Sequence, residues 1–459
     1  MDLKAKLDLT GLETYRRSCL EIAAERLAGF STLDQVAAAE DEINAYPHLA
    51  GLSPPRDVRL LDVDAVDAAA LSRAREAVLG GLVFWEHTAA GEATRLKMGA
   101  KYLLEPHRHL ASLERLAALM SEEAGSEITA AALRKGLDAP PDRLFPLNLG
   151  LRHLLQLAFD VARLARESGL DPALVLSRQN LLLVLNEATA EEILTQLTRA
   201  RFAGFNPDNF LFMIQPGFPG IDLKDGRFLF DPDSPKRLHN HGQLVMQETM
   251  DGQVFRLDRD GVRRHLDWSD FLRILENSRD KVSFNIEDLD YLTGSIDWPS
   301  LALALALGAE GFDMVMEIVA NDPDHPQKGG LAAYDESLGR NVMIESFQLK
   351  GLPNSEIKYL NKNFNHYTQP AKAWTALKRN GLPMPIAVKF GRLFFQPVQG
   401  DINFLVPTAL VQRKRLKPIR ALKSMSNIPA ALNAMWAQDR QAGFLEFAKG
   451  ILDDEPGGN

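Results

Sequence analysis

The chain has 459 residues, more than a domain with a single hydrophobic core usually contains. This length indicates a large central domain with additions at its ends. Charged residues make up 25% of the chain and the formal net charge is −9, which excludes a broad nucleic-acid-binding face but not a local basic pocket for a small phosphate ligand. The single cysteine, Cys19, excludes an internal disulfide, and the most apolar run, Leu301 to Leu307, is too short to span a membrane, so we expect a soluble cytoplasmic protein that contacts no membrane.

The first predicted region, residues 1–75, is rich in Ala, Glu, Arg and Leu, and its apolar residues recur at three- and four-residue spacing. This spacing predicts a helical N-terminal extension. Residues 76–370 form the predicted central domain, and residues 371–459 a mixed C-terminal region with a strand over Ile386 to Phe395.

The predicted central domain, residues 76–370, alternates short apolar runs with amphipathic segments. In chain order, the segments are a strand in Val78 to Trp85, a helix over Leu151 to Leu164, a strand over Asn180 to Leu185, a helix over Ala190 to Ala203, strands over Phe210 to Ile214 and Lys281 to Ile286, a helix over Trp298 to Leu307, and strands over Asp313 to Val319 and Asn341 to Ser346. Short buried strands that alternate with helices predict an α/β fold, in which a mostly parallel, Rossmann-like sheet has helices on both faces.

A turn of small residues follows the first apolar run and includes Ala90, Gly91 and Thr94. Such a turn brings backbone N–H groups close to a ligand and is typical of phosphate binding, and Arg95 and Lys101 could then neutralise phosphate charge. The turn lacks the Gly-Lys-Ser/Thr of a Walker loop and the glycine spacing of a dinucleotide site. An ordinary turn with solvated Arg and Lys side chains is the alternative.

This turn is the first of several short segments that the resemblance described below depends on, taken in chain order. They are Ala89 to Leu96 with Gly99-Ala100-Lys101, Asn186 to Thr189, Phe212 to Pro219, His239 to Gly242, Asn285 to Leu289, Lys328 to Gly330, Ile344 to Ser346, Phe364-Asn365 and Pro397 to Gln399. Their order resembles the signature of the UDP-glucose and UDP-N-acetylhexosamine pyrophosphorylase family over about residues 80 to 400. The resemblance implies a GT-A-like nucleotidyltransferase sheet.

The resemblance also implies a reaction, in which UMP passes from UTP to a sugar 1-phosphate with Mg²⁺ and pyrophosphate is released. Ala90, Gly91 and Thr94 are then expected to contact the nucleotide, and Arg95 and Lys101 to be the catalytic cations. The other implied contacts are Gln215, His241 and Gly242 with the nucleotide; Gly330, Glu345 and Asn365 with the sugar; and Glu287 and Asp288 with Mg²⁺.

Four departures from the family pattern keep other functions open. Ala90 and Ala93 stand where the family has glycine, Asn240 replaces a glycine, Glu287-Asp288 replaces Asp-Asn, and Gln399 replaces a basic residue. We expect Lys389, or a lysine of the basic cluster at 412–423, to supply the positive charge that Gln399 lacks. The alternatives are a binding or regulatory homologue with weakened catalysis, or an enzyme of the same fold that uses another acceptor such as a polyol phosphate.

Overall fold

The computed structural model describes residues 7–91, 96, 98–110, 112–322, 324–325, 329–414 and 420–453. Its helices are α1 (Leu12–Arg26), α2 (Leu33–Ala38), α3 (Glu40–Asn44), α4 (Ala68–Leu79), α5 (Pro106–His109), α6 (Leu113–Ala124), α7 (Ala130–Lys135), α8 (Leu149–Glu167), α9 (Pro172–Leu176), α10 (Ala190–Arg199), α11 (Asn240–Glu248), α12 (Trp268–Glu276), α13 (Trp298–Ala309), α14 (Pro370–Asn380), α15 (Ile428–Asp439) and α16 (Phe444–Asp453).

The strands belong to two sheets. They are β1 (Leu52–Ser53), β2 (Arg59–Leu61), β3 (Val83–Thr88), β4 (Asn180–Asn186), β5 (Phe210–Gln215), β6 (Ile221–Lys224), β7 (Arg227–Phe230), β8 (Val254–Leu257), β9 (Arg263–His265), β10 (Asp280–Asn285), β11 (Met314–Ala320), β12 (Leu331–Asp335), β13 (Arg340–Ile344), β14 (Tyr359–Tyr367), β15 (Ile386–Lys389), β16 (Arg392–Phe395) and β17 (Thr408–Arg413). The small sheet has the order β15-β16-β6-β7.

The large sheet has the order β2-β17-β11-β14-β10-β3-β4-β5-β8-β9, with β12 joined to β14, β13 and β1. Strands β10, β3, β4 and β5 are parallel, as are β11, β17 and β2. Strand β14 lies between these two groups and is antiparallel to both of its neighbours. The predicted α/β class is confirmed, but the sheet is mixed rather than mostly parallel, because β14 and the hairpins at the edges pair with neighbours without parallel crossovers.

Strand β4 shows why the centre of this sheet is covered on both faces. Leu181, Leu183 and Leu185 pack into a core formed with α8 and α10. Leu182 and Val184 point to the other face and pack with residues of α1, α11 and α14. Because successive side chains of a strand alternate between faces, a continuous apolar run of this kind is typical of a strand buried between two helical layers.

Most predicted helices and strands are confirmed, but three boundaries between residues 78 and 395 are wrong. The run at 78–85 covers the end of α4 and the start of β3, separated by Gly81 at φ +70°. Helix α10 ends at Arg199 instead of Ala203, since Phe202 and Ala203 have φ values of 53° and 55°, which a right-handed helix cannot accommodate. The predicted strand at 386–395 is a hairpin that turns at Phe390, where φ is 54°.

The predicted N-terminal helices are present as α1, α2 and α3. This part of the chain also contributes β1 and β2 to the large sheet, which its helical pattern does not predict. The divisions at 75 and 370 stay predictions. Within the described residues, no helix is both long enough and apolar enough to cross a membrane.

Candidate functional site

The parallel strands β3, β4, β5 and β10 all end at one edge of the large sheet. Register pairs Thr88 with Val184 and with Asn285, and pairs Asn186 with Gln215. In open α/β sheets, the segments that follow the carboxyl ends of parallel strands form the ligand-binding crevice. Ala90 and Gly91 follow β3, Gln215 ends β5, and Glu287 and Asp288 follow β10. The predicted nucleotide residues His241 and Gly242 lie at the start of α11 instead.

Hydrogen bonds fix the start of the turn after β3. The backbone N–H of Ala89 donates to the Val184 carbonyl at 2.9 Å, and the Asn186 side-chain amide donates to the Ala90 carbonyl at 3.1 Å. Ala90 is buried, whereas Gly91 is exposed and no neighbouring atom lies within 4 Å of an added Cβ. The remaining predicted members of this turn lie outside the described residues: Ala93, Thr94 and Arg95.

Lys101 and Glu287, which the sequence assigned to different roles, form an ion pair. The Lys101 Nζ lies 2.6 Å from the Glu287 Oε2, and both side chains are mostly buried. Lys423 Nζ lies 3.9 Å from the other oxygen of the same carboxylate. His241 is solvent-exposed as a whole residue, yet the surrounding protein desolvates its ring and lowers its pKa, while the nearby Glu287 carboxylate opposes that shift.

The turn at the start of α11 contacts the end of β5. The Gln215 side-chain amide donates to the Asn240 carbonyl at 3.3 Å. Asn240 has φ 54°, a left-handed conformation that Asn accepts more easily than most residues, so asparagine can stand where the family has glycine. Gly242 donates its N–H to the Pro397 carbonyl at 2.9 Å, and a Cβ on Gly242 would lie 2.5 Å from the Pro397 carbonyl carbon. Close packing on Pro397 therefore requires glycine at 242.

The residues predicted to bind the sugar lie on a second group of strands. Asn365 is on β14 opposite Met316, and an added Cβ on Gly330 would lie 2.8 Å from the sulfur of Met343. Glu345 follows β13, and burial raises the pKa of its carboxyl. The segment that begins at Pro397 contacts both groups, because Pro397 packs on Gly242 and an added Cβ on Gly400 would lie 2.5 Å from Met343.

Gln399, in this connecting segment, lies beside the Tyr367 hydroxyl together with Asn365. The expected substitutes for its missing charge differ in position. Lys389 is at the end of β15 in the small sheet, and Lys414 pairs with Asp62 at 2.7 Å. Lys423 alone of the described lysines in the basic cluster at 412–423 reaches a predicted site residue, Glu287.

Asp401 is a buried acid that no sequence motif indicated. Its side chain is fully buried, and no described group hydrogen-bonds to either carboxyl oxygen. Burial raises the pKa of Asp401 well above its ordinary value, and the neighbouring Glu345 carboxylate adds to this shift. Burial therefore favours the protonated form of Asp401, which lies beside one of the predicted sugar-binding residues.

The residues predicted to hold Mg²⁺ fit that ion in part. Two adjacent carboxylates are a donor set that Mg²⁺ accepts together with phosphate oxygens. Glu287, however, is already balanced by Lys101, and Asp288 accepts the N–H of Asp290 at 3.0 Å. Within the described ranges, no group of three or more His, Cys, Asp or Glu side chains is arranged to hold a metal.

A Ser-His-Asp arrangement also occurs in the interior, between α13, β14 and β10. His366 Nδ1 lies 2.6 Å from the Asp280 carboxylate, and Ser300 Oγ lies 3.0 Å from His366 Nε2. The Ser300 hydroxyl, however, donates to Glu317 at 2.9 Å, and all of these side chains are buried. Burial by itself would lower the pKa of His366, but the carboxylates around it raise the pKa above its ordinary value. Because the Ser300 hydroxyl donates to Glu317 and the whole cluster is buried away from any ligand, this cluster is structural.

The sequence matches no protein-family model and no curated protein. Among solved structures, UDP-N-acetylglucosamine pyrophosphorylase from Trypanosoma brucei, in complex with an inhibitor, is similar at a TM-score of 0.59 and 14% identity, over 91% of this chain and 78% of that one. A single-residue variant of UDP-glucose pyrophosphorylase from Leishmania major is similar at a TM-score of 0.54 and 15% identity, over 94% of this chain and 79% of that one. The fold is that of the UDP-sugar pyrophosphorylases. The fold that the ordered motifs implied is thereby confirmed.

Proposed function

We propose that the protein transfers a uridylyl group from UTP to a sugar 1-phosphate, giving a UDP-sugar and pyrophosphate. The observation that carries this proposal is the position of Lys101, Gln215, Gly242 and Glu287 beyond the carboxyl ends of neighbouring parallel strands, or in contact with the segments that follow them. The proteins that share the fold are UDP-sugar pyrophosphorylases, and one of them is a complex with UDP-glucose.

In the proposed reaction, a phosphate oxygen of the sugar 1-phosphate attacks the α-phosphorus of UTP, and the bond to the leaving pyrophosphate breaks. No covalent intermediate with the protein is needed, so the protein positions the two reactants and neutralises charge. Lys101 is proposed to neutralise the phosphates, and the ion pair that holds its ammonium beside Glu287 at the edge of the sheet supports this role. Arg95 lies outside the described residues and stays a predicted second cation.

The same proposal assigns Gln215, His241 and Gly242 to the nucleotide, with Ala90, Gly91 and Thr94 beneath its phosphates. It assigns Gly330, Glu345 and Asn365 to the sugar. Mg²⁺ is proposed to bind at Glu287 and Asp288 with phosphate oxygens, and when bound it would supply further positive charge against the triphosphate. Lys101 must then pass from the Glu287 carboxylate to the ligand.

A second candidate is a protein that binds a nucleotide-sugar without turnover. Two observations favour it: Gln399 brings no charge to the segment between the nucleotide and sugar groups, and the turn after β3 begins with buried Ala90 instead of glycine. An enzyme of this fold with a different phosphorylated acceptor is compatible with the same two observations.

The two candidates can be separated with purified protein, UTP, Mg²⁺ and a panel of sugar 1-phosphates, with pyrophosphate release as the readout. We expect release with at least one sugar. Calorimetry with UDP-glucose and UDP-N-acetylglucosamine measures binding independently of turnover. Binding without release, with any of the four nucleoside triphosphates, would favour the second candidate and contradict the transfer reaction.

Variants at Lys101 test whether the site is correctly placed. Lys101→Ala should lower kcat/KM about 100-fold, the scale of losing one charge-stabilising group in phosphoryl or acyl transfer. Lys414→Ala is the matched control, because Lys414 is paired with Asp62 and belongs to neither group of site residues. A loss below threefold at Lys101, or an equal loss at Lys414, would show that the site lies elsewhere.

A further inference from the structure

The Glu287 carboxylate contacts two lysines that come from distant parts of the chain. Lys101 Nζ lies 2.6 Å from one oxygen and Lys423 Nζ 3.9 Å from the other. Lys101 is mostly buried, with 11% of its side chain exposed, whereas 62% of the Lys423 side chain is exposed. The two ammonium groups thus contact the two oxygens of one small anion. Two lysines would bind two adjacent phosphate groups in the same arrangement.

Backbone hydrogen bonds hold Lys423 in this position. The N–H of Leu422 donates to the Glu287 carbonyl at 2.8 Å, and the N–H of Leu289 donates to the Arg420 carbonyl at 2.9 Å. Leu422 is fully buried, and the N–H of Lys423 donates to the Asn427 side chain at 3.0 Å. The backbone of Lys423 is therefore fixed beside Glu287, while its exposed side chain can turn toward a ligand.

A second ion pair holds the segment from Arg420 to Lys423 beside the residues that follow β10. The Arg420 guanidinium contacts the Asp290 carboxylate at 2.6 Å, and Ala421 pairs with Asp288 as an isolated β-bridge. Arg420 is thus committed to a carboxylate that is not a predicted site residue. Lys423 is the cation that this segment brings to Glu287.

We propose that Lys101 and Lys423 bind the pyrophosphate part of a nucleoside triphosphate, and that the Glu287 carboxylate occupies the place of a phosphate group until the ligand binds. This inference rests on the proposed function and extends it to the C-terminal segment. It explains how the chain can lack a cation at Gln399, because Lys423 supplies a positive charge from another direction. Lys389 and Lys414 cannot do so, since one lies in the small sheet and the other pairs with Asp62.

A stand-in carboxylate competes with the ligand for the same two ammonium groups. Without a divalent cation, removal of the Glu287 charge should therefore strengthen the binding of a phosphate ligand. Removal of the Lys423 charge should weaken it. A carboxylate whose only role is to bind Mg²⁺ predicts instead that a metal-free measurement is insensitive to Glu287.

The test is calorimetry of inorganic pyrophosphate binding to the full chain in EDTA. We expect Glu287→Gln to bind pyrophosphate about threefold to fivefold more tightly and Lys423→Gln about threefold to fivefold more weakly, the scale of one partly exposed ion pair. Lys423→Arg should stay within twofold of the unchanged protein, since it keeps the charge. Lys414→Gln is the matched control, because Lys414 is exposed to a similar extent, at 58%, but pairs with Asp62.

The inference is overturned if the unchanged protein binds no pyrophosphate, if Lys423→Gln behaves as Lys414→Gln does, or if Glu287→Gln fails to bind more tightly without metal. Thermal unfolding of each variant identifies a folding defect, and Lys423→Arg then decides the role of the charge. Uridylyl transfer is measured separately. Transfer without the expected variant pattern refutes only the lysine site, whereas the variant pattern without transfer refutes only the proposed reaction.

Discussion

Glu86 and His87 are neighbours on β3, and both side chains are buried, but their partners differ. Glu86 has charged and hydrogen-bonding partners, whereas His87 has aromatic ones. Glu86 faces one side of the sheet, where it is paired with Lys281 and accepts the Ser283 hydroxyl at 2.6 Å. His87 faces the other side, where its ring stacks on Phe284 with centroids 4.5 Å apart and on His153 at 5.3 Å. No described group hydrogen-bonds to either ring nitrogen of His87 or His153.

The first cluster is neutralised by pairing. Burial alone would raise the pKa of Glu86, but Lys281 holds it below its ordinary value. Burial also raises the pKa of Glu248 well above its ordinary value and so favours the protonated form of this second acid, whose carboxyl accepts the Trp374 indole N–H at 2.9 Å. One carboxylate and one ammonium therefore balance within the sheet.

The second cluster is neutralised by proton loss. Burial lowers the pKa of His153 to about 3 and lowers that of His87 well below its ordinary value. Both rings are uncharged at neutral pH and serve as flat aromatic surfaces, as does Tyr291, whose ring lies within 5° of parallel to His153. The two faces of the sheet should therefore affect the stability of the protein in different ways. The face with Glu86 and Lys281 is sensitive to the loss of a charged partner, whereas the histidine face, formed by His87 and His153, is sensitive to a fall in pH.

The largest expected effect is at Lys281, which is fully buried between Glu86 and Glu248. Lys281→Met leaves the Glu86 carboxylate buried without its counter-charge, which should lower the free energy of unfolding by about 3–5 kcal/mol. Urea unfolding followed by circular dichroism measures this loss. The double variant Lys281→Met with Glu86→Gln removes both charges and should recover part of it. An unchanged unfolding midpoint in the single variant would contradict the pairing.

Replacement of Glu86 or Glu248 by glutamine should change the free energy of unfolding by different amounts. Glu86→Gln removes the ionised partner of Lys281 and should cost about 2 kcal/mol, the value of a hydrogen bond to a charged group. Glu248→Gln replaces a protonated acid by a neutral group of the same shape, so we expect a change below about 0.5 kcal/mol, typical of a conservative substitution. Equal losses in urea unfolding at neutral pH would show that both acids are ionised.

The histidine face should destabilise the protein in acid. The folded state keeps His153 uncharged down to about pH 3, whereas in the unfolded chain it takes up a proton near pH 6.5. The unfolded state therefore binds more protons between these values, and stability is present above pH 6.5 and falls as the pH decreases. The fall is about 2 kcal/mol for one such histidine between pH 7 and pH 5.

His153→Phe keeps the stacked ring and removes the titrating group, so this variant should lose less stability than the unchanged protein between pH 7 and pH 5. Urea unfolding at the two pH values gives the difference. His325 is the matched control, because 87% of its side chain is exposed, and His325→Gln should leave the pH dependence unchanged. If the free energy of unfolding falls equally in the unchanged protein and in His153→Phe, the histidine face is not the cause of the fall.

The sequence predicts the parts of this fold that depend on local pattern. The leucine run of β4 and the turn that follows β3 are recognisable because apolar runs and small-residue turns are local signals. The insertion of β14 between parallel strands and the contact of Lys423 with Glu287 depend on pairing between distant segments, for which a single sequence holds no local signal. Glu86 is missed for another reason, since a charged residue after an apolar run resembles the end of a strand.

The smallest expected effect is at Tyr102, which follows Lys101 and joins the histidine face. Its ring packs against α8 so closely that a Cβ on Gly150 would lie 2.3 Å from it, but its hydroxyl hydrogen-bonds to no described group. Tyr102→Phe should therefore change the free energy of unfolding by less than about 0.5 kcal/mol or raise it slightly, because no hydrogen bond is lost.

Tyr46 provides the contrast for Tyr102, because its hydroxyl donates to the Asp335 carboxylate at 2.6 Å. Tyr46→Phe should lower the free energy of unfolding by about 1.5–3 kcal/mol, the range for hydrogen bonds to charged groups. The two variants remove the same atom, so urea unfolding compares the hydroxyls directly. A loss at Tyr102 as large as that at Tyr46 would mean that an ordered water or a ligand satisfies the hydroxyl, and the histidine face would then be a hydrated pocket beneath Lys101 instead of a dry aromatic stack.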